Sequence, residues 1–371
     1  RYILGKGEIA GPNLARATDA DGQVHEIPWD KLIIATGTRP LNIPALPFDG
    51  QRILSSNDAL SLEEIPESIV IVGGGVIGCE FAFILNALGA RVTVVEALPR
   101  LLPLPSVDED CSKILQREMK KKKINFLVNR TVESYEQVDG KLRLTIGPSP
   151  FMEKPGPKDQ KPLSLDAEKM LICIGRQANS QGIGLETIGV TPDERGWIET
   201  DERMMTCARD VYAIGDILGP AKIMLAHVAS TEGEVAVDNA LGAGSIMDYN
   251  AVPGAIFTTP EVANVGLTEH QAREQGINVQ AGSVLFRSLG KAQVIGEIAG
   301  QAKIVADADS GRIVGVHIIG PHATDLIGEG TLAIKSGLTV KALTETIHAH
   351  PTLSEIMLET GFKTIGHALH G

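Results

Sequence analysis

Two stretches of this 371-residue chain have residue types and spacings that can do chemistry. The first is Val70-Ile71-Val72-Gly73-Gly74-Gly75-Val76-Ile77-Gly78, a G-x-G-x-x-G run between a strand-like and a helix-like segment. Gly73 allows a tight turn, Gly75 lets the backbone approach a pyrophosphate, and Gly78 permits close packing of helix on sheet. The helix start supplies N–H donors to the phosphates. The next strand ends in Glu96, a carboxylate placed to accept hydrogen bonds from ribose hydroxyls and to repel a 2′-phosphate, which favours NAD over NADP. Arg91 and Arg100 are the nearby bases, and neither replaces that acid. The blander reading, a glycine-rich turn without ligand, does not account for Glu96.

The second stretch is His348-Ala349-His350-Pro351-Thr352-Leu353-Ser354-Glu355. Glu355 can orient the imidazole of His350 and stabilise its charged form, so that the ring takes up a proton and returns it. Read alone, His350 is more simply a surface or capping histidine, and His348, His367 and His370 keep that reading. Cys79, Cys111, Cys173 and Cys207 are widely spaced and form no C-x-x-C pair. They read as reduced thiols of an intracellular chain. No His/Cys grouping has metal-ligand spacing, so no metal is expected.

These groups need elements to hold them. Tyr2 to Ile9 and Ala15 to Ile27 read as short strands, and Lys31 to Gly37 as an apolar strand. Prolines 40, 44, 47 and 66 mark an extended crossover. From Ser68 a βαβ unit follows: strand Ile69 to Val72, helix Val76 to Leu88, strand Arg91 to Glu96. Thr131 to Ile146 alternates like an antiparallel meander, with residues 147–162 as a proline-rich exposed loop. Leu165 to Gly175 and Asp210 to Asp216 read as buried strands, and Leu225 to Leu241 as a helix. The last part alternates strands (Gln301 to Val305, Arg312 to Ile319) with helices (Ala323 to Lys335, Leu353 to Thr360). The net charge of -12 argues against a nucleic-acid partner, and no apolar run suits a membrane helix. The one basic run, Lys120 to Lys123, follows an amphipathic stretch, Cys111 to Met119, and reads as a solvated helix end.

Ile33-Ile34-Ala35-Thr36-Gly37-Thr38 and Ala213-Ile214-Gly215-Asp216 are each unremarkable strand ends in isolation. In this order around the glycine fingerprint, and followed by H-P-T-x-x-E at 350–355, they resemble the pyridine nucleotide-disulfide oxidoreductase family over essentially the whole chain. Within it the HPT-x-x-E string is closest to the dihydrolipoamide dehydrogenases. The resemblance implies an α/β fold with Rossmann-like FAD- and NAD-binding domains, the former incomplete, and a C-terminal α+β dimerisation domain. The implied bounds are 1–45 for the remnant of the FAD domain, 46–176 for the NAD domain, 177–250 for the return to the FAD-binding central domain, and 251–371 for dimerisation.

Carried over position by position, the resemblance puts Gly7, Thr36, Gly37, Thr38, Asp216, Met224, Leu225, Ala226 and His227 around FAD. Gly73, Gly74, Gly75, Val76, Ile77, Gly78, Glu80, Glu96, Val132 and Gly175 fall around NAD. His350 and Glu355 become a catalytic pair that serves the disulfide of the other subunit of a homodimer. The implied activity is oxidation of dihydrolipoamide on a lipoyl-bearing carrier protein, as in 2-oxo acid dehydrogenase complexes or glycine cleavage. Electrons pass through a disulfide and FAD to NAD+, in a bacterial cytoplasm or an organelle matrix.

Family members also carry a first G-x-G-x-x-G and a C-x-x-x-x-C pair ahead of the point where this sequence begins, on the order of 100 residues judged from a βαβ unit and its following elements. As written, the chain is therefore expected to bind FAD poorly and to leave dithiols unoxidised. A non-catalytic NAD-binding and dimerising module is the alternative. Among other reductases of the family, glutathione-reductase-like proteins call for arginines where Glu96 stands, mercuric-reductase-like ones for a C-terminal cysteine pair, and transhydrogenase-like ones need no dithiol base.

Overall fold

Residues 1–152, 156 and 161–367 are described by the structure, a computed structural model. Backbone contacts divide the chain into two units, each built from two separate stretches: residues 1–41 with 175–249, and residues 42–174 with 250–371.

The first unit begins with an antiparallel meander of Gly5–Gly11, Leu14–Asp19 and Val24–Pro28. The first strand starts at Gly5 rather than Tyr2, and the stretch from Ala15 to Ile27 is two strands. The Asp19 carboxylate accepts the amides of Asp21 and Gln23 and folds the chain back between them. The apolar strand Leu32–Ile34 pairs in parallel with Val211–Ala213, and Thr38–Pro40 pairs antiparallel with Arg176–Ala178. Two distant stretches of sequence are thereby zipped together. Ala226–Ala240 is the long helix of this unit.

In the second unit a parallel sheet has the order Ile53–Leu54, Lys169–Ile172, Ser68–Val72, Arg91–Val95, Asn125–Leu127. Every residue of Ser68–Val72 is buried, as expected of a central parallel strand covered on both faces. The helices Val76–Ala87 and Glu109–Lys121 contribute Cys79, Ala82, Leu115 and Met119 to its core. The second helix exceeds the expected amphipathic stretch because Asp108 caps it, accepting the Asp110 amide. Lys120 to Lys123 are exposed at its far end, as read from sequence.

The meander Arg130–Val138, Lys141–Pro148, Leu163–Ala167 follows. Its middle strand takes in the first two residues of the expected 147–162 loop, and residues 153–155 and 157–160 of that loop lie outside the described residues. The single strand expected from Leu165 to Gly175 is two strands in different sheets. The break falls at Glu168, whose amide meets both the carbonyl and the hydroxyl of Ser68 at 3.1 Å. A continuous apolar run conceals such a change of sheet.

The last part is an antiparallel sheet ordered Gly254–Ile256, Glu261–Gly266, Ile313–Gly320, Gln301–Asp307, Val279–Leu285. The helices Ala323–Lys335 and Glu355–Thr364 share its core through Ile327, Ala333, Ile356 and Met357. Glu355 is the first residue of its helix, two residues later than expected. One apolar cluster continues from Ile71, Val94 and Leu115 into Ile256, Val262 and Ile319, so the two sheets of this unit share packing. An ion cluster around the buried Lys303 adds to it. Lys303 Nζ lies 3.1 Å from Asp108, 3.3 Å from Asp110 and 2.8 Å from Glu269.

Candidate functional site

The glycine turn has the geometry a pyrophosphate needs. Gly73 has φ +105°, and a Cβ there would stand 2.4 Å from the carbonyl oxygen of Cys173. A Cβ on Gly78 would stand 1.9 Å from the Gly73 carbonyl oxygen, so helix and turn touch there. Around Gly75 the position of a Cβ is open, with no atom within 4 Å. Gly75 is also the N-cap of a 12-residue helix and offers no side chain to its first amides. Those amides, Val76 and Ile77 among them, are the donors that a phosphate would take up.

Glu96 is buried at this turn. Its Oε2 accepts the Gly74 amide at 2.6 Å and its Oε1 accepts the Leu98 amide at 2.7 Å. A carboxylate retains further lone pairs for a ribose hydroxyl. Neither neighbouring arginine competes for that role. The Arg100 guanidinium donates to the carbonyls of Leu102, Leu104 and Val107 and to Ser112 Oγ, and Arg91 pairs with Glu67 at 2.9 Å.

Glu80 is half-buried on the helix, where its carboxylate accepts the Phe257 amide at 2.9 Å. Burial pushes its pKa up, against the pull of that amide. Val132 is buried beside Leu144 and Ile146, so its side chain serves the meander core. Gly175, at φ +140°, opens the second stretch of the other unit, where its carbonyl accepts the Leu41 amide.

In the first unit the parallel pairing of Leu32–Ile34 with Val211–Ala213 brings the two short signatures together. Thr38 Oγ1 donates to Asp216 Oδ2 at 2.9 Å, and Arg176 reaches both groups, at 2.5 Å and 3.5 Å. The Gly215 amide donates to the buried Glu232 at 2.7 Å, and Tyr249 donates to the other oxygen of that carboxylate at 2.7 Å. Gly37 has φ +63° with open space where a Cβ would be, and the carbonyls of Thr36 and Gly37 accept from Asn179. This polar and partly open group suits the sugar-alcohol chain and ribose of a flavin dinucleotide. Leu225 caps the helix that Ala226 and His227 begin, directly after Met224. Gly7 lies in the exposed hairpin strand opposite Ala17. Sequence reasoning missed Arg176, Glu232 and Tyr249. Arg176 had a signal, a lone base directly after the apolar run that ends in Gly175.

His350 and Glu355 meet as the family resemblance implies. His350 Nδ1 is 2.8 Å from Glu355 Oε1, and Glu355 Oε2 accepts the Thr352 amide at 2.8 Å. The carboxylate is mostly covered, whereas the imidazole is 77% exposed. With Nδ1 engaged, Nε2 is the nitrogen left to exchange a proton. His348 departs from the expected surface histidine. Its side chain is 5% exposed, with Nε2 2.8 Å from Glu329 and Nδ1 3.0 Å from the Thr346 carbonyl. His367 is exposed as expected, and His370 lies outside the described residues.

All four cysteines are free. Burial pushes up the thiols of Cys79 and Cys111, and that of Cys173 to about 12, so none of the three is poised as a thiolate. Among the described residues no helix is long and apolar enough to cross a membrane.

The model of the pyridine nucleotide-disulphide oxidoreductases matches residues 3–233, and that of their dimerisation domain matches residues 252–360. A dihydrolipoyl dehydrogenase of Chlamydia muridarum is 43% identical over 341 residues, 91% of this chain and 70% of that protein. One from Bacillus subtilis is 41% identical over 375 residues, 99% of this chain and 76% of its own length. The crystal structure of LpdA from Mycobacterium tuberculosis superposes with a TM-score of 0.85 at 28% identity, covering 96% of this chain and 76% of that one. With both domain models matched and this identity along almost its whole length, the chain belongs to the pyridine nucleotide-disulphide oxidoreductase family.

Proposed function

We infer that this chain supplies the NAD-binding and proton-handling parts of a dihydrolipoyl dehydrogenase that works as a homodimer on a lipoyl-bearing carrier protein. The net reaction oxidises a dithiol to a disulfide, and its two electrons and one proton reduce NAD+ to NADH while the second proton is released. FAD, when bound, relays the electron pair between sulfur and nicotinamide. Everything else is work for the protein's own residues. The glycine turn and the start of the 76–87 helix hold the NAD pyrophosphate, Glu96 holds the adenosine ribose, and Thr38, Asp216 and Arg176 form the polar wall for FAD. Glu355 keeps His350 oriented, and His350 Nε2 accepts the thiol proton so that the attacking sulfur is a thiolate. The cysteine couple of the reaction is not among Cys79, Cys111, Cys173 and Cys207. By the family pattern it belongs to the other subunit's side of the contact. Free, unpaired cysteines fit a reducing compartment such as the cytoplasm.

The observation that carries this reading is the 2.8 Å contact between His350 and a largely covered Glu355, with the rest of the imidazole open. The test is His350→Gln in the full-length dimeric holoenzyme. Dihydrolipoamide-dependent NAD+ reduction is expected to fall by ~10²-fold or more, the scale of general-base effects. Unchanged turnover removes His350 from the reaction.

A further inference from the structure

Two residues ahead of His350 the chain turns its side chains in opposite directions. Ile347 is 96% exposed, whereas the His348 side chain is nearly sealed. The His348 ring is held between the Glu329 carboxylate on the Ala323–Lys335 helix and the Thr346 carbonyl of its own segment. Both ring nitrogens thus face acceptor oxygens, one on another helix and one on the same segment. The segment carrying His350 is therefore fastened at two ends to two helices. On one side Glu355, at the start of the Glu355–Thr364 helix, grips His350 and the Thr352 amide. On the other, Glu329 grips His348. Between these anchors stand Ala349 and His350, both exposed.

We propose that His348 and Glu329 act together as positioning residues that fix the direction of the His350 imidazole. The proposal deepens the reading of His350 as the dithiol base and rests on it. An exposed ring tied only through Glu355 can swing with its backbone. The second anchor removes that freedom, and a displacement of the order of 1 Å costs up to ~10²-fold in rate.

The experiment uses the full-length dimeric holoenzyme with His348→Ala, Glu329→Ala, the double variant and His350→Gln. Three quantities are measured: kcat and KM for dihydrolipoamide, NADH-driven reduction of a dye that bypasses the dithiol step, and amide hydrogen exchange of the 346–352 peptide. For His348→Ala and for Glu329→Ala the expected result is a fall in dithiol kcat of about ten-fold, part of that ~10². KM and dye reduction stay within about two-fold, exchange rises in the 346–352 peptide, and the double variant is no worse than either single one, as expected of residues acting as a unit. A fall in dye reduction parallel to the dithiol rate makes the pair merely structural and overturns the proposal. So does wild-type dithiol turnover in His348→Ala alongside a disabled His350→Gln. If His350→Gln itself turns over normally, it is the assignment of the base that fails.

Discussion

Lys303 offers a quantitative test of how the second unit is held together. Its side chain is 10% exposed and faces Asp108, 6% exposed, which caps the Glu109–Lys121 helix. Asp110 and Glu269 complete the cluster from more solvated positions. Replacement by Met keeps the stem and removes the charge, leaving Asp108 buried without its ammonium. Breaking a buried pair in this way costs roughly 3–5 kcal/mol. The two better-solvated partners add ~0–1 kcal/mol each. Urea unfolding of Lys303→Met is therefore expected to lose about 3–7 kcal/mol at neutral pH. Far-UV circular dichroism is the appropriate probe, because Trp29 and Trp197 both lie in the other unit.

The pH dependence follows from the signs. Burial works against the charge of Asp108, but the Asp110 amide, His317 and Lys303 outweigh it and leave the carboxyl below its ordinary value of 3.8. Glu269 falls below its ordinary 4.5, chiefly through its hydrogen bond to Lys303. Lys303 is raised above its ordinary 10.5, since its carboxylate partners outweigh burial. Depressed acids contribute above their unfolded values and lose that contribution as pH falls through the folded ones. A raised lysine contributes below 10.5 and loses it as pH climbs through its folded value. The gap between wild type and variant should hold from about pH 4.5 to 10.5 and close in acid. A gap under ~1 kcal/mol at pH 7, or one that does not narrow in acid, refutes the buried-pair account.

Other outcomes bear on the nucleotide turn. Glu96→Arg is expected to lower the preference for NAD over NADP by ~10-fold or more, as fits a hydrogen bond to a charged group worth ~1.5–3 kcal/mol. The ratio of the two kcat/KM values is the readout, and an unmoved ratio dismisses the ribose assignment. Gly78→Ala, forcing a Cβ into the Gly73 carbonyl, should cost about 1–3 kcal/mol of stability in urea unfolding. Gly75→Ala meets nothing in the protein, so it should leave stability nearly unchanged yet weaken NADH binding on the order of ten-fold, read by nicotinamide fluorescence.

Much of this was legible in the sequence where a local rule applies. The glycine turn and the 76–87 helix follow from spacing within a few residues, the Ala323–Lys335 helix has the expected bounds, and the His350–Glu355 contact was implied by the H-P-T-x-x-E resemblance. Long-range assignments were not so legible. Nothing near Leu165 shows that the chain changes sheets at Glu168, because both strands are apolar and the switch depends on Ser68, a hundred residues away. His348 looks like any polar residue before an H-P dipeptide, and its burial is decided by Glu329 on another helix. Arg176 and Glu232 are likewise given meaning by partners brought in through strand pairing.

The order in which the two units take their residues has a consequence for biosynthesis. The strand Leu32–Ile34 leaves the ribosome ahead of its parallel neighbour Val211–Ala213, which is made some 180 residues later. At ~5–20 residues per second that interval is on the order of 10 to 40 seconds. Over that time an apolar edge waits without its partner while the parallel sheet of residues 42–174 is completed in between. The nascent chain is thus most open to misassociation along Leu32–Ile34, and chaperone occupancy there should persist until residue 213 has emerged.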